Sequence, residues 1–314
     1  MAVSDNAAPS TESLAARQFA QPSRLRYALL GNRFQTGLLR LFLIYALLLA
    51  AAFLFLLPFY WMLNTALKVP NQVFALPPVW FPKPVMWSNF LTAFTIQYET
   101  DPPVYNYALN TVIVTFNGVF STLFSSSLVA YAFARLEFPG KNVIFLGILS
   151  TLMIPFAVVM VPQFIIWKEL GWLDTLWPLM VPHWFGSAWN IFLLRQFFMT
   201  IPREYDEAAY LDGASRWLIF VRIILPLSKP ALAAVAVFAF VFFWNDFLGP
   251  LIILSTPENF TLTLFLANFS VAYRGTPWHL YMAAALIIIL PCLILFFFSQ
   301  NAFLKGITVT DLKG

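Results

Sequence analysis

Six long, apolar, nearly charge-free runs constrain this chain more than any other feature. A helix needs about 20 apolar residues to cross the hydrocarbon of a bilayer. Leu41 to Leu63, Pro102 to Ala134 and Asn142 to Trp167 carry no charge. Thr175 to Leu194 is shorter and interrupted by Pro178 and Pro182. Pro230 to Leu254 is apolar except for Asp246, and Leu280 to Leu304 is the last run. The expected fold class is all-α integral membrane, with six transmembrane helices. Composition agrees: 61% of residues are hydrophobic and only 10% charged, against about 25% charged in a soluble domain. A soluble globular protein is excluded. One cysteine excludes a disulfide framework within the chain, and two histidines leave little for a metal centre.

The flanks of these runs look like membrane interfaces. Trp61, Trp80, Trp87, Trp167, Trp172, Trp177 and Trp278 lie near the expected ends, where an amphipathic ring prefers to sit. Basic residues set the orientation. Fourteen of the 18 fall in the N-terminal segment, the loops after the second and fourth helices, and the C-terminus. Lys68, Lys83, Lys168 and Arg274 make up the other side. Both termini are therefore expected in the cytoplasm. The asymmetry accounts for every basic residue, so no patch is left for nucleic acid. Residues 1–37 read as a mobile cytoplasmic tail rather than a signal peptide, 38–305 as the membrane domain, and 306–314 as a cytoplasmic C-terminal tail. No internal repeat is visible. Six unrepeated helices are few to enclose a solute path, which implies a partner chain.

The loop from Ile201 to Pro230 is the most informative stretch. Pro202 suits a first helical turn, and Glu204, Asp206 and Glu207 complement the helix dipole there. Ala208 and Ala209 keep one face thin. Asp212-Gly213 is a helix stop. A second helix from about Ser215 has apolar residues at Trp217, Phe220, Val221 and Ile224, a helical spacing, and Pro226 and Pro230 end it. The expected shape is helix, sharp turn, helix.

Glu207, Ala208, Ala209, Gly213, Ile223, Leu225 and Pro226 fall at the spacing Glu-Ala-Ala, three residues, Gly, nine residues, Ile, one residue, Leu-Pro. This resembles the coupling motif of permease subunits of bacterial binding-protein-dependent ABC importers. The likeness spans Leu41 to Gly314. Tyr131 to Lys141 (YAFARLEFPGK) and Trp244 to Asp246 are similar to sugar-importer permeases. The ending from Lys305 is similar to the second subunit of the maltose-type permease, departing from its small-residue pattern at Val309, Asp311 and Leu312.

The resemblance implies a type I ABC importer permease fold, with a cytoplasmic coupling helix between helices 4 and 5. It implies partners: a second homologous permease subunit, an ATP-binding subunit dimer and an extracytoplasmic solute-binding protein. Glu207 would pair with a basic residue of the ATPase, Gly213 would turn the chain, and the alanines would fit closely in the ATPase groove. ATP and Mg would be bound by that partner. No cofactor or metal is expected in this chain, which has no G-x-x-x-x-G-K-[ST], G-x-S-x-G or H-E-x-x-H. The expected role is a carbohydrate permease of a bacterial or archaeal cytoplasmic membrane, and no enzyme. Alternatives are the same importer class with amino acid, peptide or anion cargo, or an ion-coupled secondary transporter. The last would call for several buried carboxylates or a repeat.

Candidate pathway residues are Trp244, Asn245, Asp246, Asn110 and Asn117. An aspartate at a span centre costs about 2.5 to 3.5 kcal/mol. Asp246 lies ~24 Å past Pro230 at 1.5 Å per residue, near the outer interface. It reads equally as an interfacial charge or as a hydroxyl partner beside the path. Asn106, Asn110, Asn117 and Ser121 fall within about 60° of each other on a helix. They are read first as groups bonding across the bundle.

Overall fold

The computed structural model describes residues 37–95, 102–272 and 277–308. Most of the expected N-terminal tail, the C-terminal tail beyond Thr308 and Arg274 lie outside the described residues. All regular structure among the described residues is helical. The chain divides into two compact units, Met1–Trp61 and Met62–Gly314.

In the first unit the described residues enter helix α1, Leu38–Ala66, which closely matches the expected first span. It is rich in Leu, Ala and Phe, and no residue of its most apolar window is buried. A helix apolar on all sides, roughly 43 Å long at 1.5 Å per residue, is suited to lipid and not to water.

The second unit carries α2 (Ser88–Thr95), α3 (Val104–Arg135), α4 (Lys141–Ser150), α5 (Phe156–Glu169), α6 (Trp177–Met180) and α7 (Ala188–Thr200). It continues through α8 (Glu204–Leu211), α9 (Arg216–Ile219), α10 (Lys229–Trp244), α11 (Leu248–Ile253), α12 (Leu262–Ala272) and α13 (Trp278–Thr308). By length and apolarity α1, α3 and α13 can each cross a membrane, and two bent pairs bring the number to as many as 5.

The bends have local causes. The third expected span turns by 97° between Met153 and Phe156. There Pro155 holds Ile154 in an extended conformation, φ −82° and ψ 113°. The fourth expected span is not one helix. Pro178 lies in the first turn of α6, Pro182 in the first turn of the short 3-10 helix Val181–Phe185, and Gly186 has φ 92°. The helix that follows runs on to Thr200. The fifth stops at Trp244 and restarts at Leu248, so Asp246 lies in a break and not inside a continuous helix.

Helix α3 is the spine of this unit and packs along α7 and α10, while α13 packs on α10 and α2. Its inner face is small and polar: Thr111, Thr115, Gly118, Ser121, Thr122, Ser125 and Ser126 are buried. Small residues let membrane helices approach closely. The closest approach is at Gly118, where a Cβ would lie 2.5 Å from the ring of Phe243 on α10. The hydroxyls of Ser121 and Ser125 bond back to their own helix, Ser125 Oγ donating to Ser121 O at 2.7 Å. Such bonds satisfy the two hydroxyls in the low-dielectric interior, whereas Thr115 Oγ1 is buried without a hydrogen-bond partner.

Candidate functional site

Most of the residues singled out by the sequence fall near the two ends of α3, while Asn117 lies midway along it. At the Arg135 end, Ala130, Tyr131 and Ala134 form a core with Leu194 and Phe198 of α7, Ile219, Phe220 and Ile224 of the loop, and Val235 of α10. The loop folds onto this core as an elbow. Helix α8 starts at Glu204 with three acids in its first turn, as the dipole favours. It ends in a paired cap: Ala214 N–H donates to Ala209 O at 2.9 Å and Gly213 N–H to Tyr210 O at 3.0 Å. This Schellman arrangement requires a left-handed residue, and Gly213 has φ +80° with no atom near a built Cβ. Gly213 is therefore needed for its backbone conformation and not for space. Ser215 Oγ then accepts from Leu218 N–H at 3.2 Å, capping α9. The second arm continues through one π-helical turn, Phe220–Ile224, and bends by 78° into α10.

The residues of the Glu-Ala-Ala motif and its flank separate into two sets. Ala209, Ile223 and Leu225 are half-buried against the core. Glu207, Ala208, Asp212, Gly213 and Pro226 are exposed. Ala209 therefore faces inward, unlike its neighbour Ala208. Leu211 is 90% exposed, and Tyr205, Tyr210 and Trp217 are exposed too. Tyr205, Tyr210 and Leu211 lie on α8 and Trp217 on α9, and exposed apolar side chains grouped in this way are a feature of interaction surfaces.

A group that the sequence reading did not single out seats the elbow. Arg135, the last residue of α3, places Nε 3.4 Å from Asp206 Oδ2, with side chains 4% and 13% exposed. Its Nη2 donates to Ile201 O at 2.7 Å. Tyr131 Oη, one turn earlier, donates to Arg216 O at 3.0 Å. Burial pushes the Asp206 carboxyl above the usual carboxylate range; Arg135 and Arg203 oppose the shift and Glu207 adds to it. In the sequence Arg135 is the first charge after a 33-residue uncharged run, Pro102 to Ala134, and lies within the Tyr131 to Lys141 stretch.

At the other end of α3, Asn106 Nδ2 donates to Glu258 O at 2.7 Å, and Asn110 Nδ2 to Glu258 O and Phe260 O at 2.8 and 3.0 Å. The segment they hold is clamped from the other side by Asp174. Its Oδ1 accepts from Ser255 N–H and Thr256 N–H at 2.8 and 3.0 Å, and its Oδ2 from Thr256 Oγ1 at 2.9 Å. Asn259 Nδ2 donates to Asp174 O at 2.6 Å. Burial alone would raise the Asp174 carboxyl. The hydrogen bonds from Ser255, Thr256 and Asn259 outweigh it and hold the group below its usual value of 3.8. A depressed carboxylate contributes stability above its unfolded pKa and loses it as pH falls through the folded one. Asp174→Ala should therefore speed hydrogen exchange at Ser255 and Thr256 at neutral pH, relative to intrinsic rates. The unaltered chain should reach that state only below pH 3.8. Equal protection in both chains at neutral pH would refute the clamp.

The candidate pathway residues mostly bond within the bundle. Trp244 is buried, its Nε1 donating to Ile288 O at 2.9 Å. Asp246 Oδ1 accepts from Gly249 N–H at 3.2 Å at the start of α11. Asn245 is exposed and donates to Val241 O at 2.8 Å. Asn117 Oδ1 accepts from Trp184 Nε1 at 3.3 Å. Of the five, only Trp244 lines the apolar cavity between α3, α10, α12 and α13. Among the described residues no group of three or more His, Cys, Asp or Glu is placed to hold a metal ion.

Comparison with known proteins supplies the wider context. Residues 124–309 match the family described as binding-protein-dependent transport system inner membrane component. The diacetylchitobiose uptake system permease protein DasC of Streptomyces coelicolor is 31% identical over 258 residues, covering 82% of this chain and 91% of that protein. The arabinooligosaccharides transport system permease protein AraQ of Halalkalibacterium halodurans is 37% identical over 205 residues, covering 65% and 73%. The fold is shared with a chain in the crystal structure of a bacterial ABC transporter that imports the acidic polysaccharide alginate. The TM-score is 0.72 at 23% identity, covering 86% of this chain and 99% of that one. An all-helical bundle with a small-residue spine and an elbow at one end is thus the structure of a transport permease, and the chain belongs to the binding-protein-dependent transport system inner membrane component family.

Proposed function

We propose that this chain is one of two permease subunits of an ATP-driven carbohydrate importer, forming half of the solute path. The elbow at 201–230 docks on a separate ATP-binding subunit that holds ATP and Mg, and an extracytoplasmic protein delivers the solute. Six membrane crossings place both termini and the elbow in the cytoplasm, with the Asp174 clamp outside. The observation that carries this reading is the outer face of α8, where Glu207, Ala208 and Leu211 project from a helix seated on a buried core. The charge asymmetry of the loops supports the orientation. The oligosaccharide uptake named for DasC and AraQ supports the cargo. Asn245 and Asn117, neither of them buried, are the best-placed amides for sugar hydroxyls beside the path.

ATP binding would favour one arrangement of the docked helix, and that differential affinity is the energy source for the change of state. The test is uptake of a labelled oligosaccharide into vesicles holding this chain with its partner permease and ATPase. Uptake should require ATP and the binding protein together. Uptake driven by an ion gradient without ATP would overturn the reading.

A further inference from the structure

One turn of α3 grips both arms of the elbow. Arg135 holds the approach to α8 through Ile201 O and its first turn through Asp206. Tyr131 holds the start of the second arm through Arg216 O. On its C-terminal side the covalent route from elbow to bundle runs through a π-helical turn and a 78° bend before α10, and on its N-terminal side the short stretch Ile201 to Arg203 joins α8 to α7. The route through Arg135 enters a 32-residue unbroken helix.

A buried ion pair is weak evidence for stability, because desolvation of both charges offsets their attraction. Its best-attested role is to fix a register or a switch. Here the pair is also incompletely satisfied: Arg135 Nε and Asp206 Oδ1 are buried without a hydrogen-bond partner. At low dielectric the energy of such a pair changes steeply with small displacements. Movement of α8 against α3 therefore acts directly on this contact.

We propose that Arg135 and Asp206 are positioning residues for transport: their ion pair passes displacement of α8 to α3, and Tyr131 keeps the second arm in step. The inference rests on the docking role proposed for the elbow. It is tested in the complete transporter reconstituted in vesicles, reading solute taken up per ATP hydrolysed. Asp206→Asn and Arg135→Gln should each keep the ATPase bound and hydrolysing, and lower that ratio about tenfold. The double variant should fall no further than either single, because one contact is lost in all three. A merely structural role would lower assembly, hydrolysis and uptake together and leave the ratio unchanged.

Glu207→Lys in the same preparation separates this inference from the reading beneath it. If Glu207→Lys leaves ATPase binding and uptake intact, the docking role fails. If it releases the ATPase while Asp206→Asn and Arg135→Gln retain the full ratio, the joint alone is refuted. Should the charge variants not assemble, Tyr131→Phe removes a single hydroxyl and reads the same ratio. A lowered ratio supports the joint and an unchanged one overturns it.

Discussion

Glu207→Lys is expected to abolish ATP-driven uptake while the chain still inserts and folds. Glu207 is exposed on α8 and makes no ion pair among the described residues. Surface changes of this kind alter stability by about 0.5 kcal/mol or less. Its charge is therefore free for another subunit. Reversing one partner of a desolvated interfacial pair costs about 2 to 5 kcal/mol, or at least roughly thirtyfold in association. Co-purification of the ATPase and uptake into vesicles should fall together, and Glu207→Gln should lose less than the lysine variant. Ordinary uptake by Glu207→Lys would remove the docking argument.

Gly118→Ala should destabilise the bundle. The added Cβ would lie 2.5 Å from Phe243, well inside contact distance. The ring cannot swing freely: it is buried, and it packs edge-on against His183 at 4.5 Å and Phe242 at 5.2 Å. Either the ring leaves its rotamer or α10 moves off α3. Overpacking of this kind costs about 1 to 3 kcal/mol, and Gly118→Val should cost more. The measurement is the thermal midpoint of the purified chain in detergent. Phe243→Leu, which shortens the opposing side chain, should recover part of the loss in the double variant. A wild-type midpoint for Gly118→Ala would show that the two helices are not in close contact.

Much of this fold was legible residue by residue. The first span was expected at Leu41 to Leu63 and runs over Leu38–Ala66, because an uninterrupted apolar run has no other stable solution in lipid. The turn at Asp212-Gly213 was legible for a similar reason, since a left-handed residue after a short helix is a local preference of glycine. The fourth and fifth segments were less legible. Pro178, Pro182 and Gly186 divide one run into three short pieces, and hydrophobicity alone does not show where a proline bends a chain or ends a helix. Ala208 and Ala209 were read as a thin face, yet Ala209 turns inward; which side of α8 faces the bundle depends on how the elbow is seated.

The polar groups divide in the same way. That Asn106, Asn110, Asn117 and Ser121 share one stripe follows from helical periodicity. That Asn110 holds Phe260 O, 150 residues away, does not. By itself the sequence determined the membrane class, the apolar runs, the place of the sharp turn and the motif spacing. Each of these is set by the free energy of one segment in its solvent or by the φ preference of one residue. Only the tertiary structure decided that Arg135 meets Asp206 and that Asp174 clamps Thr256. Those depend on distances between separate helices, which no local preference encodes.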